Sequence, residues 1–561
     1  MDGLEITVIL GIAVLAGTLL APRLRVATPL LLVTFGLLLG FVPELREVQL
    51  PPETVLLVFL PVMLFWESLT TSLRSIKRDL RGIVIMSTLL VVATAFAVAG
   101  IAHAMGIPWQ AALILGAAVA PPDATAVAAL GRSLPRRNFM LLKAESLTND
   151  GTALVVYAIA VGVAVGGSYT PLTITGLVAL SYLGGAVAGL VAAGLAYLVM
   201  RRLADGLTIN VALLLTPFVA FLLAELIHAS GVLAVVVAGL VIAFVSPRIS
   251  NAASRRQTEA AWPLGSFVLN GALFVLIGLE VQAVAHEISG GDIAWLLVVT
   301  VSVWVTLLVV RFGFQTLSVT LIRLLDRRPS QRKRRMSYRA RVVSAVAGFR
   351  GAVSLAIALS VPLVTDAGDA LPGRDEIIFV TAGVIILTLL VQGPLLPVVV
   401  RWAQLPADTR AEEELQLAER AITGAAVEAL DELADEHGVG EETRRCLHAD
   451  YTEHLALVDA RATEPAEPLT VEAGSGQIGT PDEEVVGGSE RRTARSVDTS
   501  RVSPLERHEE YTRLRVAVLD RKREVLVRLG REGTIDDAIV RRIQARLDVE
   551  ELRLTGVADI D

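Results

Sequence analysis

Cysteine is almost missing from this chain: Cys446 is the single one in 561 residues, which excludes a disulfide framework. Aromatic residues are only 5% of the total and charged residues only 19%. Charge is scarcest inside runs of about 17–25 residues, the length that crosses a ~30 Å hydrocarbon layer, and that pattern excludes an ordinary soluble domain. What fills the runs is apolar: 53% of the chain is hydrophobic and the mean hydropathy is +0.60. Glycine is abundant at 45 residues, as suits helices packed closely side by side. Gly36/Gly40 and Gly185/Gly189 have close-packing spacing. The chain reads as an all-α, polytopic membrane protein.

Thirteen spans are expected, over 4–21, 27–42, 53–69, 82–105, 109–131, 141–166, 174–200, 208–228, 231–246, 258–283, 293–323, 343–363 and 376–402. Lys and Arg prefer cytoplasmic loops. They alternate here: Arg23 and Arg25, Arg132 with Arg136 and Arg137, Arg255 and Arg256, and the run from Arg327 to Arg341 all follow odd-numbered spans. This puts the N-terminus outside and the C-terminal tail inside, in the plasma membrane. The acidic leader MDGLE, with positive charge after the first apolar run, does not fit a secretory signal peptide.

The membrane part is expected over 1–402, with a cytoplasmic helical segment at 403–461, a disordered linker at 462–503 and a second helical segment at 504–561. The first segment reads as a hairpin broken at Gly438-Val439-Gly440. The linker is rich in Glu, Gly, Ser and Thr and has too little apolar surface to fold. Helical spacing returns with Tyr511, Leu514 and Val518, then with Ile535, Ile539, Ile543 and Leu547. The tail is either a regulatory appendage or a supporting bundle.

Polar residues inside the apolar runs carry the chemistry. In ESLTND, Glu145 and Asn149 share one helix face, and Ser146 and Asp150 share the adjacent one. A charge at membrane depth costs about 3 kcal/mol or more unless paired or hydrated, so such residues point to function. In the preceding span, APPDAT places Pro121, Pro122 and Asp123 in mid-run. Two prolines delete two backbone donors and are expected to break the helix. Freed carbonyls, the Asp123 carboxylate and the Thr125 hydroxyl would then offer hard oxygen ligands for a small alkali cation; the plainer reading is a proline kink capped by Asp123. Arg350, between Gly348 and Gly351, cannot shed its charge and is expected to pair with Glu145. The irregularities in spans five and twelve suggest inverted repeats around a midplane site. Glu67, Glu225 and His228 are expected at interfaces, and Arg311 is expected to snorkel.

ESLTNDGTALV, FRGAVSLAIAL and TLLVQGPLLP, together with FLPVMLFWESLTTSLR and SGVLAVVVAGL, resemble marker segments of sodium/proton exchangers in the monovalent cation:proton antiporter-1 family. They extend from about residue 59 to 397, nearly the whole membrane part. The resemblance implies a thirteen-helix inverted-repeat fold with crossed discontinuous helices, a homodimer embedded in membrane lipid, and no cofactor or nucleic acid. It implies that Asp150 exchanges H+ for Na+ and that Ser146 is a cation ligand. Glu145 and Arg350 would be an organising ion pair, and Asp123 the acid of the first crossed helix. Asn149 matches the Asn-Asp members, which are electroneutral. One departure stands out: Pro122-Asp123-Ala124 replaces the usual Thr-Asp-Pro, leaving the Pro122 carbonyl where a Thr hydroxyl would be.

A carboxylate that binds either H+ or a cation, in a site that moves only when occupied, couples the two flows. The activity implied is secondary transport for pH and sodium homeostasis. Three rivals are K+ in place of Na+ at the same site, an intramembrane aspartyl protease built on Asp123 and Asp150, and a membrane sensor whose spans only anchor the tail. The protease leaves Asn149, Arg350 and the paired prolines without a task.

Overall fold

The apolar runs fold as helices because a helix satisfies its own backbone where no water can. The computed structural model describes residues 3–24, 26–42, 55–73, 76, 84–123, 136–166, 170–287, 290–325, 337–365, 368–405, 410–463 and 503–555. Two compact units divide the chain, at residues 1–408 and 409–561. Among the described residues the only β-type pairing is an isolated bridge between Val364 and Ala370.

The first unit contains α1 (Gly3–Leu24), α2 (Thr28–Leu39), α3 (Leu60–Leu69) and α4 (Val91–Ala104), the last two each opened by a π-helical turn. Next come α5 (Trp109–Val119), α6 (Arg136–Val165), α7 (Pro171–Met200), α8 (Gly206–Glu225) and α9 (Gly231–Val245). The unit closes with α10 (Ala252–Glu287), α11 (Gly290–Leu325), α12 (Tyr338–Val346), α13 (Ala352–Leu359) and α14 (Arg374–Ala403). Eight of these helices are long and apolar enough to cross a membrane, and four apolar ones are shorter. Each expected span holds helix. Leucines and valines such as Leu172, Leu183 and Val187 stand exposed on α7. That surface suits hydrocarbon.

Glycine sets the closest approaches. A side chain at Gly36 would strike the Val275 carbonyl and Gly278 of α10, and one at Gly189 the Ala234 carbonyl of α9. Gly40 and Gly185 are equally closed, against Gln282 and Ser230. Small residues let backbones meet where dispersion, not the hydrophobic effect, holds helices together.

Two elements are interrupted. α5 stops at Val119 because Pro121 and Pro122 have no N–H to continue the ladder. The stretch expected as one span near 343–363 is α12 and α13, separated by Ala347–Gly351, with Gly351 extended at φ −149° and ψ −150°. Gly348 and Gly351 bracket this break.

The second unit is helical throughout its described residues: α15 (Arg410–Glu436), α16 (Glu441–Thr463), α17 (Pro504–Glu532) and α18 (Asp537–Thr555). Gly438, at φ +63°, lets the chain turn between the first two. Ser503 and Glu506 cap α17 reciprocally. Leu415, Ile422, Leu519, Leu526, Ile539 and Ile543 form one core; Leu430, Leu447, Tyr451, Leu514 and Val518 form another. Each such aliphatic side chain contributes about 1.5–3 kcal/mol on burial. The expected linker lies almost wholly outside the described residues.

Candidate ion-exchange site

α6 carries the ESLTND stretch in the middle of the first unit. Glu145, Ser146, Asn149 and Asp150 are 7%, 3%, 0% and 3% exposed, so both polar stripes face protein. Among the described residues, neither side-chain polar atom of Asn149 has a hydrogen-bond partner. A buried amide left in this condition costs about 1–3 kcal/mol unless a water or an ion meets it.

The broken helices meet beside this stretch. The Asp123 backbone N–H donates to the Phe349 carbonyl at 2.8 Å, which ties the end of the α5 break to the α12–α13 break. The Asp123 carboxylate fills the space over Gly351 where a side chain would otherwise stand. Pro122 is buried with it, while Thr125 lies outside the described residues. Arg350 reaches back across the junction. Its guanidinium donates to the carbonyls of Val119 at 2.6 Å, Gly348 at 2.5 Å and Ala120 at 3.3 Å. These include the last carbonyls of α5, unsatisfied within their own helix and carrying the negative end of its dipole. Arg350 is thus the C-terminal cap of a broken helix.

That corrects the expected ion pair. Glu145 pairs with Arg311, not Arg350: the two guanidinium nitrogens of Arg311 donate to its two oxygens at 2.7 and 3.1 Å. Arg311 Nε donates to the Ser344 carbonyl at 3.0 Å, and Gln315 binds the Ser344 hydroxyl at 2.8 Å. Arg311 is 3% exposed and does not snorkel. All three guanidinium nitrogens of each arginine find an acceptor, chiefly a carboxylate for Arg311 and a helix end for Arg350. The length of α11 hid this, since a long span gives an arginine an apparent route to the surface.

Glu67, expected at an interface, has acidic neighbours as well. It is half-buried near the end of α3, and Glu67, Asp123 and Asp150 lie within electrostatic reach of one another. A sequence signal existed: Glu67 sits in FLPVMLFWESLTTSLR, one of the marker segments. Two turns from Asp150 toward the start of α6, Lys143 donates to Thr70 Oγ1 at 2.5 Å. Two turns the other way, Tyr157 accepts from Ser360 Oγ at 2.9 Å, beyond the end of α13. Carboxylates within electrostatic reach of one another repel. A positive charge placed among them would relieve that repulsion.

The sodium/hydrogen exchanger transmembrane family matches residues 10–402. The chain belongs to that family. An uncharacterized Na+/H+ exchanger of Mycobacterium tuberculosis is 40% identical over 562 aligned positions, covering 100% of this chain and 97% of that one. The sodium, potassium, lithium and rubidium/H+ antiporter of Bacillus pumilus is 29% identical, covering 75% of this chain and 64% of that protein. Among solved structures, the sodium proton antiporter MjNhaP1 from Methanocaldococcus jannaschii superimposes with TM-score 0.55 at 19% identity, over 72% of this chain and 99% of that one. The last likeness bears on fold alone, and there the exchanger agrees with it. The chain is a multi-pass membrane transporter, a cation/proton antiporter and not an enzyme.

Proposed function

We propose that this exchanger moves Na+ against H+ across the plasma membrane by alternating access, one cation for one proton, with Asp150 as the carboxylate that holds either ion. The observation that carries the reading is the buried Asp150–Asn149 pair, with its unpartnered amide, beside two broken helices and two further carboxyl groups. In this reading Ser146, the Pro122 carbonyl, Asp123 and Glu67 share the coordination of the cation, with Thr125 a further hydroxyl. Arg350 keeps α5 capped so that the break survives, and Glu145 with Arg311 fixes the approach of α6 to α11. Asn149 in place of a second acid keeps the exchange electroneutral. Coupling follows from competition, because a bound proton removes the charge that a cation needs. The alternation of basic loops supports an external N-terminus and a cytoplasmic tail, and the chemistry serves pH and sodium homeostasis. A homodimer in membrane lipid is part of the same proposal.

K+ is the second reading for the cargo. It is favoured by Pro122-Asp123-Ala124, which lacks the small hydroxyl of the usual pattern, and by the Bacillus relative, whose name includes potassium. Cation-induced proton movement in everted vesicles, for wild type and Asp150→Asn across Na+, K+ and Li+, tests both. Wild type should exchange and the folded mutant should not, and the ion series names the cargo. Equal exchange by the mutant would remove Asp150 from its role.

A further inference from the structure

Lys143 is a cation near this site to which the ion-exchange reading gives no role. It is half-buried on α6, seven residues before Asp150, which places it about 10.5 Å away along the axis. Its ammonium is held by the Thr70 hydroxyl at 2.5 Å. Thr70 follows α3 three residues after Glu67, on the same face, and Lys143 acts electrostatically on the Glu67 carboxylate. The Lys143 amine is therefore tethered beside one of the three carboxyl groups, on the side where α6 begins with Arg136 and Arg137.

We infer that Lys143 is a built-in competitor of the transported cation: an ammonium anchored on Thr70 that opposes cation binding at Glu67 and holds the affinity of the inner-facing site low. The inference rests on the reading that Glu67, Asp123 and Asp150 form the ion site. Two cations drawn to one carboxylate repel, and at the effective dielectric of a partly buried site that repulsion acts across a helical turn. The exchanger then loads from the inside only when the cation there is abundant, and its return occupancy stays low. A lysine suits this task because its ammonium is a point charge on a flexible stem, able to yield when the cation concentration rises.

The test is the KM for Na+ of cation-driven proton movement in everted vesicles containing the full chain, since KM does not depend on how much protein inserts. K143Q and K143M should each lower KM about ten-fold, equivalent to ~1.4 kcal/mol, with Vmax falling as release slows. K143R should keep the wild-type KM. E67Q should raise KM, and in that background K143Q should change it less than two-fold. An unchanged or raised KM in K143Q and K143M overturns the inference, as does a K143R that behaves like K143Q, or a K143Q effect of equal size in E67Q. If E67Q raises KM but K143Q does not lower it, only this inference falls. If E67Q leaves KM as in wild type, the place of Glu67 in the ion site falls first.

Discussion

Replacing Arg311 by methionine would leave the Glu145 carboxylate buried with nothing to balance it. The wild-type pair is bidentate at 2.7 and 3.1 Å, and its two side chains are 4% and 9% exposed. Solvent screening is small at that depth. Removing one partner of such a pair costs about 3–5 kcal/mol, most of it the penalty of the stranded charge. Glu145→Gln strands the arginine instead and should cost a similar amount. The double variant strands neither, so its loss should not exceed that of either single variant, and the coupling should reach about 3 kcal/mol or more. Reversible unfolding in mixed micelles of the four proteins of the cycle measures this. A parallel cycle with Arg350→Met should give a much smaller coupling, because Arg350 binds carbonyls at the end of α5. A large coupling between Glu145 and Arg350, or none between Glu145 and Arg311, would refute the assignment of partners.

Arg350→Lys should not rescue Arg350→Gln in a stability assay: a lysine cannot span the Val119, Ala120 and Gly348 carbonyls, and each stranded carbonyl costs about 1–3 kcal/mol. Gly351→Ala should abolish exchange while the protein still inserts, because the added methyl overlaps the Asp123 carboxylate; Gly265→Ala, which meets no neighbour within 4 Å, is the control. Lys522, in the tail, lies over the Tyr451 ring at 4.3 Å. Burial lowers its pKa, opposed by Glu550 and helped by Arg515. Between its folded value and the ordinary ~10.4 the unfolded chain binds more protons, so the tail should gain stability as pH rises through that window. The Tyr451 phenol, pushed up by burial, acts in the opposite sense only above its ordinary ~10. Protease resistance of residues 504–555 should therefore climb as pH rises toward ~10 in wild type and stay level in Lys522→Met. Matching profiles would count against this account.

Much of this protein was legible in one dimension because the physics involved is local. Hydropathy along a span, the absence of an N–H at Pro121 and Pro122, the 3.6-residue repeat that aligns Ser146 with Asp150, and the core faces of Leu514 and Val518 all act within a few residues. So the helical course of the membrane part, the break after Val119 and the buried polar stripes of α6 could be placed from sequence. Partnership could not. Glu145 and Arg311 are 166 residues apart, Arg350 and Val119 are 231 apart, and Lys143 and Thr70 are 73 apart. Two arginines of equal charge stood available to one carboxylate, and composition cannot choose between them. The choice came from geometry: the α12–α13 break aims Arg350 at the carbonyl end of α5, which leaves Arg311 to face Glu145. Glu67 is a similar case, since its nearness to Asp123 and Asp150 depends on how α3 leans on its neighbours. The sequence determined that charge would be buried in a membrane, and only the tertiary structure decided what would neutralise it, because desolvated charges are satisfied by whatever the fold brings within about 3 Å.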